Sequence, residues 1–96
     1  MTDKRKAYEE KYDAQLREWS AEIVLLNAKA DKAKAEAKIE YYKTIETLQG
    51  KHDAARTKLQ ELRNAGDDAW EGLEMSAEKV WTEVKTAFQG AASRFK

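Results

Sequence analysis

From Tyr8 to Leu62 the seam-forming side chains recur at intervals of three and four residues without a lapse. They are Tyr8, Tyr12, Leu16, Trp19, Ile23, Leu26, Ala30, Ala33, Ala37, Tyr41, Ile45, Leu48, His52, Ala55, Leu59 and Leu62. Alternating threes and fours place one residue per turn on one side of an α-helix, the heptad pattern of a coiled-coil seam. A strand would need alternation every second residue, and no segment shows it. Composition agrees with the period. Ala, Glu, Lys, Leu and Arg supply 53 of the 96 residues and proline is absent, a bias characteristic of long helices. The predicted class is all-α. Extra intervals of four near Tyr12 and Tyr41 read as stutters, which unwind a left-handed supercoil locally.

Taken at face value, the rhythm predicts one helix over 3–64, about 90 Å long at 1.5 Å per residue. Gly50 is its weak point, because a glycine inside a helix costs about 1 kcal/mol relative to alanine, and a kink there is the alternative to a straight run. Residues 65–68 read as a turn. Gly66 suits the left-handed position after a helix, and Asp67 or Asp68 suits the N-cap of the next. A second helix then covers 69–93, with Trp70, Leu73, Ala77, Val80, Val84, Ala87 and Ala91 at heptad spacing and Trp81, Phe88 and Phe95 as a flanking row.

Charge supports pairing of the two segments. Residues 41–64 carry five basic and three acidic side chains, whereas residues 65–96 carry four basic and six acidic. The expected architecture is an antiparallel αα-hairpin with a core of Tyr41, Ile45, Leu48, Leu59, Leu62, Trp70, Leu73, Val80, Trp81, Val84 and Phe88. Trp70 is expected near Leu59 and Leu62, Val80 near His52, and Phe88 near Ile45 or Tyr41.

A second helix of this length spans only about 37 Å. Tyr8, Tyr12, Leu16, Trp19, Ile23 and Leu26 would then lack an intrachain partner. Each large apolar side chain gains about 1.5–3 kcal/mol on burial, so six exposed in a row call for a cover. The preferred reading is a homo-oligomer, an antiparallel dimer forming a helical bundle, with another helical protein as a possible partner for the same face. The alternative is a break near Asn27 that folds the N-terminal segment back into a compact three-helix bundle.

Chemistry-bearing groups are sparse. There is no cysteine and one histidine, His52, which falls on the seam, where a polar residue can set register. Asp67, Asp68, Glu71, Glu74 and Glu78 gather at the start of the second helix, where they complement the helix dipole. Lys4-Arg5-Lys6 is flanked by Asp3, Glu9 and Glu10 and reads as a solvated helix end. No nucleophile–base pair and no glycine-rich phosphate loop can be assembled, so no enzyme, cofactor or metal is expected. Formal net charge is zero, which argues against nucleic acid as a main partner. The longest apolar run, Ile23-Val24-Leu25-Leu26, is far too short to span a bilayer, and no secretion signal is expected at the start. Residues 65–84 hold six acids and a single base, Lys79, so an anionic membrane contact by the aromatic row is disfavoured. The predicted function is that of a non-enzymatic structural or interaction protein. The alternative is an amphipathic surface binder of the apolipoprotein sort, protecting membranes or proteins under stress.

Two resemblances bear on this. The stretch Ala28-Lys29-Ala30-Asp31-Lys32-Ala33-Lys34-Ala35-Glu36-Ala37-Lys38 resembles the Lys/Ala/Glu-rich repeats of late-embryogenesis-abundant proteins. Lys4-Arg5-Lys6-Ala7-Tyr8, Gln15-Leu16-Arg17-Glu18-Trp19, Ala69-Trp70-Glu71-Gly72-Leu73, Val80-Trp81 and the ending Ala91-Ala92-Ser93-Arg94-Phe95-Lys96 make the whole chain resemble a family of small bacterial coiled-coil proteins catalogued as hypothetical or stress-response proteins. That resemblance implies a cytoplasmic, non-enzymatic, stress-linked helical protein and supplies no catalytic or ligand residues.

Overall fold

The computed structural model describes residues 3–94. Three helices occupy all but four of them: α1 (Asp3–Lys32), α2 (Ala35–Asn64) and α3 (Asp67–Arg94). The chain is all-α, as the periodicity predicts. Phe95, placed in the aromatic row from sequence, lies outside the described residues, as do Met1, Thr2 and Lys96.

The single helix expected over 3–64 is two helices of 30 residues each. The chain reverses at Ala33 and Lys34, the latter extended with φ −65° and ψ 153°. The break falls where the seam is weakest. The intervals Ala33–Ala37–Tyr41–Ile45 are three fours in succession, and each four turns a straight helix about 40° past a full revolution. The apolar face therefore rotates away just where it consists of alanine. Folding back instead buries the row from Tyr12 to Leu26 within the chain, with Tyr8 half-buried at its edge, at the cost of two non-helical residues. The molecule measures 51 × 18 × 17 Å, the length of one 30-residue helix and not of the 90 Å rod.

Ala65 and Gly66 form the second link. Gly66 does not adopt a positive φ, so the left-handed C-terminal role expected for it is not used. Its carbonyl accepts the N–H groups of Ala69 and Trp70 at 3.1 Å each, which makes it the residue that opens α3. Glycine is tolerated at that position. Asp67 is correspondingly the first helical residue and not the cap.

The arrangement is up-down-up. The C-terminal end of α2 meets the start of α1, with Leu62 beside Arg5. The start of α2 faces the end of α3, where Glu40 and Thr44 share a groove with Ala91 and Arg94. Helices α1 and α3 thus run parallel, and aromatic rings span the space between them. Tyr8 meets Trp70 at 5.8 Å between centroids, Tyr12 meets Trp81 at 4.3 Å, and Trp19 meets both Trp81 at 5.6 Å and Phe88 at 5.5 Å. Rings this broad fill a gap that aliphatic side chains would leave open, and offset pairs add about 0.5–1.5 kcal/mol beyond their area.

One core results. It contains Leu16, Ile23 and Leu26 of α1, Ile45, Leu48, Leu59 and Leu62 of α2, and Trp70, Trp81, Val84 and Phe88 of α3, with Tyr8, Tyr41, Leu73 and Val80 half-buried at its edge. Tyr12 and Trp19 are only 3% and 4% exposed. Of the face expected to meet a second copy, Tyr12, Leu16, Trp19, Ile23 and Leu26 are therefore buried within the single chain and Tyr8 is half-buried, while Val24, Leu25, Ile39, Tyr42 and Met75 are the large apolar side chains left exposed among the described residues. Phe88 finds its ring partner in Trp19 of α1, a neighbour that the two-helix reading could not supply.

Candidate functional site

Two polar assemblies interrupt the apolar core, one built on Arg5 of α1 and one on His52 of α2. The first joins all three helices at one end of the bundle. Arg5, 6% exposed, directs its guanidinium at the link between α2 and α3. Nη2 donates to the carbonyls of Leu62 at 2.9 Å and Ala65 at 2.6 Å. Nη1 donates to Asp67 Oδ1 at 2.8 Å. Nε lies 3.4 Å from Glu9 Oε2, an ion pair looser than a hydrogen bond, one turn along α1. The carbon of the guanidinium stands 5.9 Å from the Trp70 ring centroid, within the range of a cation–π contact. Helix ends leave their last carbonyls without intrahelical partners, and a cation there also complements the dipole. Arg5 supplies both to α2 while holding the first residue of α3. Sequence reading placed Arg5 in a solvated basic end. The signal available was Glu9 four residues on, at a seam position continuous with Tyr12 and Leu16.

The second assembly lies on the α1–α2 interface. His52 is buried at a seam position, and its Nε2 is 3.1 Å from the Leu16 carbonyl oxygen. A carbonyl can only accept, so Nε2 carries the proton. This bond crosses between helices and fixes their relative height. Nδ1 faces Asp53 Oδ1 at 3.6 Å. Beside it runs a groove of about 270 Å³ whose walls include Asp13, Arg17 and Ser20 from α1 and Arg56, Gln60 and Arg63 from α2. Asp13 pairs with Arg17 at 2.9 Å and with Arg63 at 3.6 Å.

The phenol of Tyr12 is pushed up to about 12, first by burial and then by the carboxylates of Glu78 and Glu74 nearby. Tyr42 donates to Asp31 across the α1–α2 turn, and that bond holds its phenol above the usual range. The acidic cluster at the start of α3 does not converge: among the described residues no three carboxylate or imidazole groups come together as a metal site. Asp67 is engaged by Arg5 instead. No helix among the described residues is long and apolar enough to cross a membrane. The stretch around Gly50 runs as unbroken helix, without the kink that a glycine there allows.

No family model, no curated protein and no solved structure matches this chain.

Proposed function

We propose that the protein is a non-enzymatic, self-contained three-helix module that acts by binding through its outer faces. One observation carries this: three buried polar groups that could serve chemistry, His52 Nε2, Glu9 and Arg5, are engaged within the bundle. The histidine Nε2–H is spent on the Leu16 carbonyl, the Glu9 carboxylate on Arg5, and Arg5 itself on the α2–α3 link. What the chain offers to other molecules is a charged exterior with shallow grooves between helices. In the setting the family resemblance implies, such a module would act in the bacterial cytoplasm under stress.

A second reading has its own support. Helices α1 and α3 touch through rings rather than through close backbone approach, and both links are two residues long, so a bundle of this kind could spread its apolar faces on a lipid surface. Sedimentation with neutral and with anionic vesicles separates the two, with near-ultraviolet circular dichroism following the packing of Trp19, Trp81 and Phe88. The closed module stays in the supernatant and keeps its aromatic signal. Protein that pellets with vesicles and loses that signal would establish the opening bundle in its place.

A further inference from the structure

The α1–α2 groove concentrates cations in a chain whose formal net charge is zero. Three arginines, Arg17, Arg56 and Arg63, line it from two helices, together with one acidic residue, Asp13. Both oxygens of Asp13 are engaged, one by Arg17 and one by Arg63. Arg56 has no ion pair or hydrogen-bond partner among the described residues. The groove wall therefore carries an excess of two positive charges. The neighbouring wall positions, Ser20 and Gln60, add neutral donors in the same space.

Nothing in the fold requires this convergence. Arg17 and Arg63 have side chains 81% and 48% exposed, and exposed ion pairs contribute only about 0–1 kcal/mol to stability. Like charges on facing helices repel only weakly where water screens them, and a multivalent anion would turn that repulsion into attraction. The guanidinium fork matches carboxylate and phosphate oxygens two at a time. Three forks around one space suit a group with several oxygens and at least two negative charges. A volume of about 270 Å³ exceeds a single phosphate and leaves room for a chain of two or three. By contrast, a lone carboxylate is already present as Asp13 and satisfies only two of the three arginines.

We propose that the α1–α2 groove is a binding site for a small oligophosphate anion, held by Arg17, Arg56 and Arg63 and gated by competition with Asp13. The proposal rests on the reading of the protein as a closed binding module and names the class of ligand that one of its faces takes. Asp13 acts as a built-in competitor: the incoming phosphate displaces its carboxylate from the two arginines it holds. The rigid backbone beneath, pinned by the His52–Leu16 bond, keeps the two arginine-bearing helices at fixed height. The site therefore binds without the bundle opening.

Isothermal titration with inorganic pyrophosphate and with ATP, at low ionic strength and without magnesium, tests it. Wild-type protein is expected to bind pyrophosphate with a dissociation constant that weakens as salt rises. Arg56→Gln should weaken binding at least about tenfold, because it removes a charge-assisted hydrogen bond, the strong kind. Asp13→Asn should tighten it severalfold. That increase is the discriminating result, since a merely structural ion pair would give no gain in affinity when broken. Equal binding of pyrophosphate and ATP assigns the site to the phosphate chain alone, and tighter binding of ATP assigns it to a nucleotide; either supports the proposal. Absence of heat at millimolar ligand, or identical affinities for wild type, Arg56→Gln and Asp13→Asn, overturns it. Near-ultraviolet circular dichroism on the same samples keeps the two claims apart. A flat titration with an intact aromatic signal removes the phosphate site and leaves the closed module standing, whereas loss of the signal removes the module itself.

Discussion

Replacing Arg5 by methionine tests whether the polar hub at the α2–α3 link holds the bundle shut. Methionine keeps the length and apolar stem of arginine and deletes the charge. Three consequences follow, of unequal size. Asp67 is mostly exposed, with 69% of its side chain open to water, and rehydrates at little cost. The Leu62 and Ala65 carbonyls lose charge-assisted donors at 2.9 and 2.6 Å, contacts each worth about 1.5–3 kcal/mol before water replaces part of them. Glu9, only 9% exposed, is left as a buried carboxylate without its cation. Removing one member of a buried pair typically costs about 3–5 kcal/mol, and that figure sets the expected total. A domain of this length has a stability of about 5–14 kcal/mol, so Arg5→Met should approach the limit of folding. Urea denaturation followed by far-ultraviolet circular dichroism measures it, with the slope against denaturant unchanged if only stability has moved. The double variant Arg5→Met/Glu9→Leu should regain at least about 1 kcal/mol, because it removes the orphaned carboxylate. A loss below about 1 kcal/mol in the single variant, or no recovery in the double, would refute the assignment of Arg5 as the latch.

Two further outcomes follow from named positions. Gly50 lies inside α2 with open space where a β-carbon would sit, so Gly50→Ala should stabilise the protein by about 1 kcal/mol, read as a higher urea midpoint. Tyr12 gives an alkaline limit. Its phenol holds its proton to about 12 in the folded chain but releases it near 10 when unfolded, so the folded state binds more protons in that window. Stability conferred by the neutral phenol is complete below pH 10 and falls as pH rises towards 12, by up to about 2–3 kcal/mol. Tyr12→Phe should flatten that part of the pH profile, and an unaltered profile would show that another group governs alkaline unfolding.

The helical class was legible because a period near 3.5 residues survives across almost the whole chain. Every buried apolar residue of α1, from Tyr12 to Ala30, stands on the seam read from sequence. The chain reversal was not legible in the usual way. Its two residues, Ala33 and Lys34, include no glycine, proline, asparagine or aspartate, and Lys34 makes no side-chain cap to α2. High helix propensity around them argued for continuity, and tertiary burial of six large side chains outweighed it. The signal that did exist was the run of three intervals of four after Ala33, which marked a seam turning out of line. Arg5 and Glu9 were hidden for a different reason: charged residues near a helix end are ordinarily solvated, and only the closing of a third helix over that end buries them. The grouping of Arg17 with Arg56 and Arg63 likewise depends on α1 lying beside α2, a contact that no local pattern encodes.

The account rests on the aromatic face of α1 being covered by the chain's own α2 and α3. Sedimentation equilibrium of the wild-type protein from a few micromolar to several hundred micromolar tests this most directly. A closed bundle gives a single species of 11.0 kDa across the range. A mass that climbs towards twice that value, together with loss of association in Trp19→Ala, would mean that α1 seeks its cover on another molecule and would contradict the fold described above.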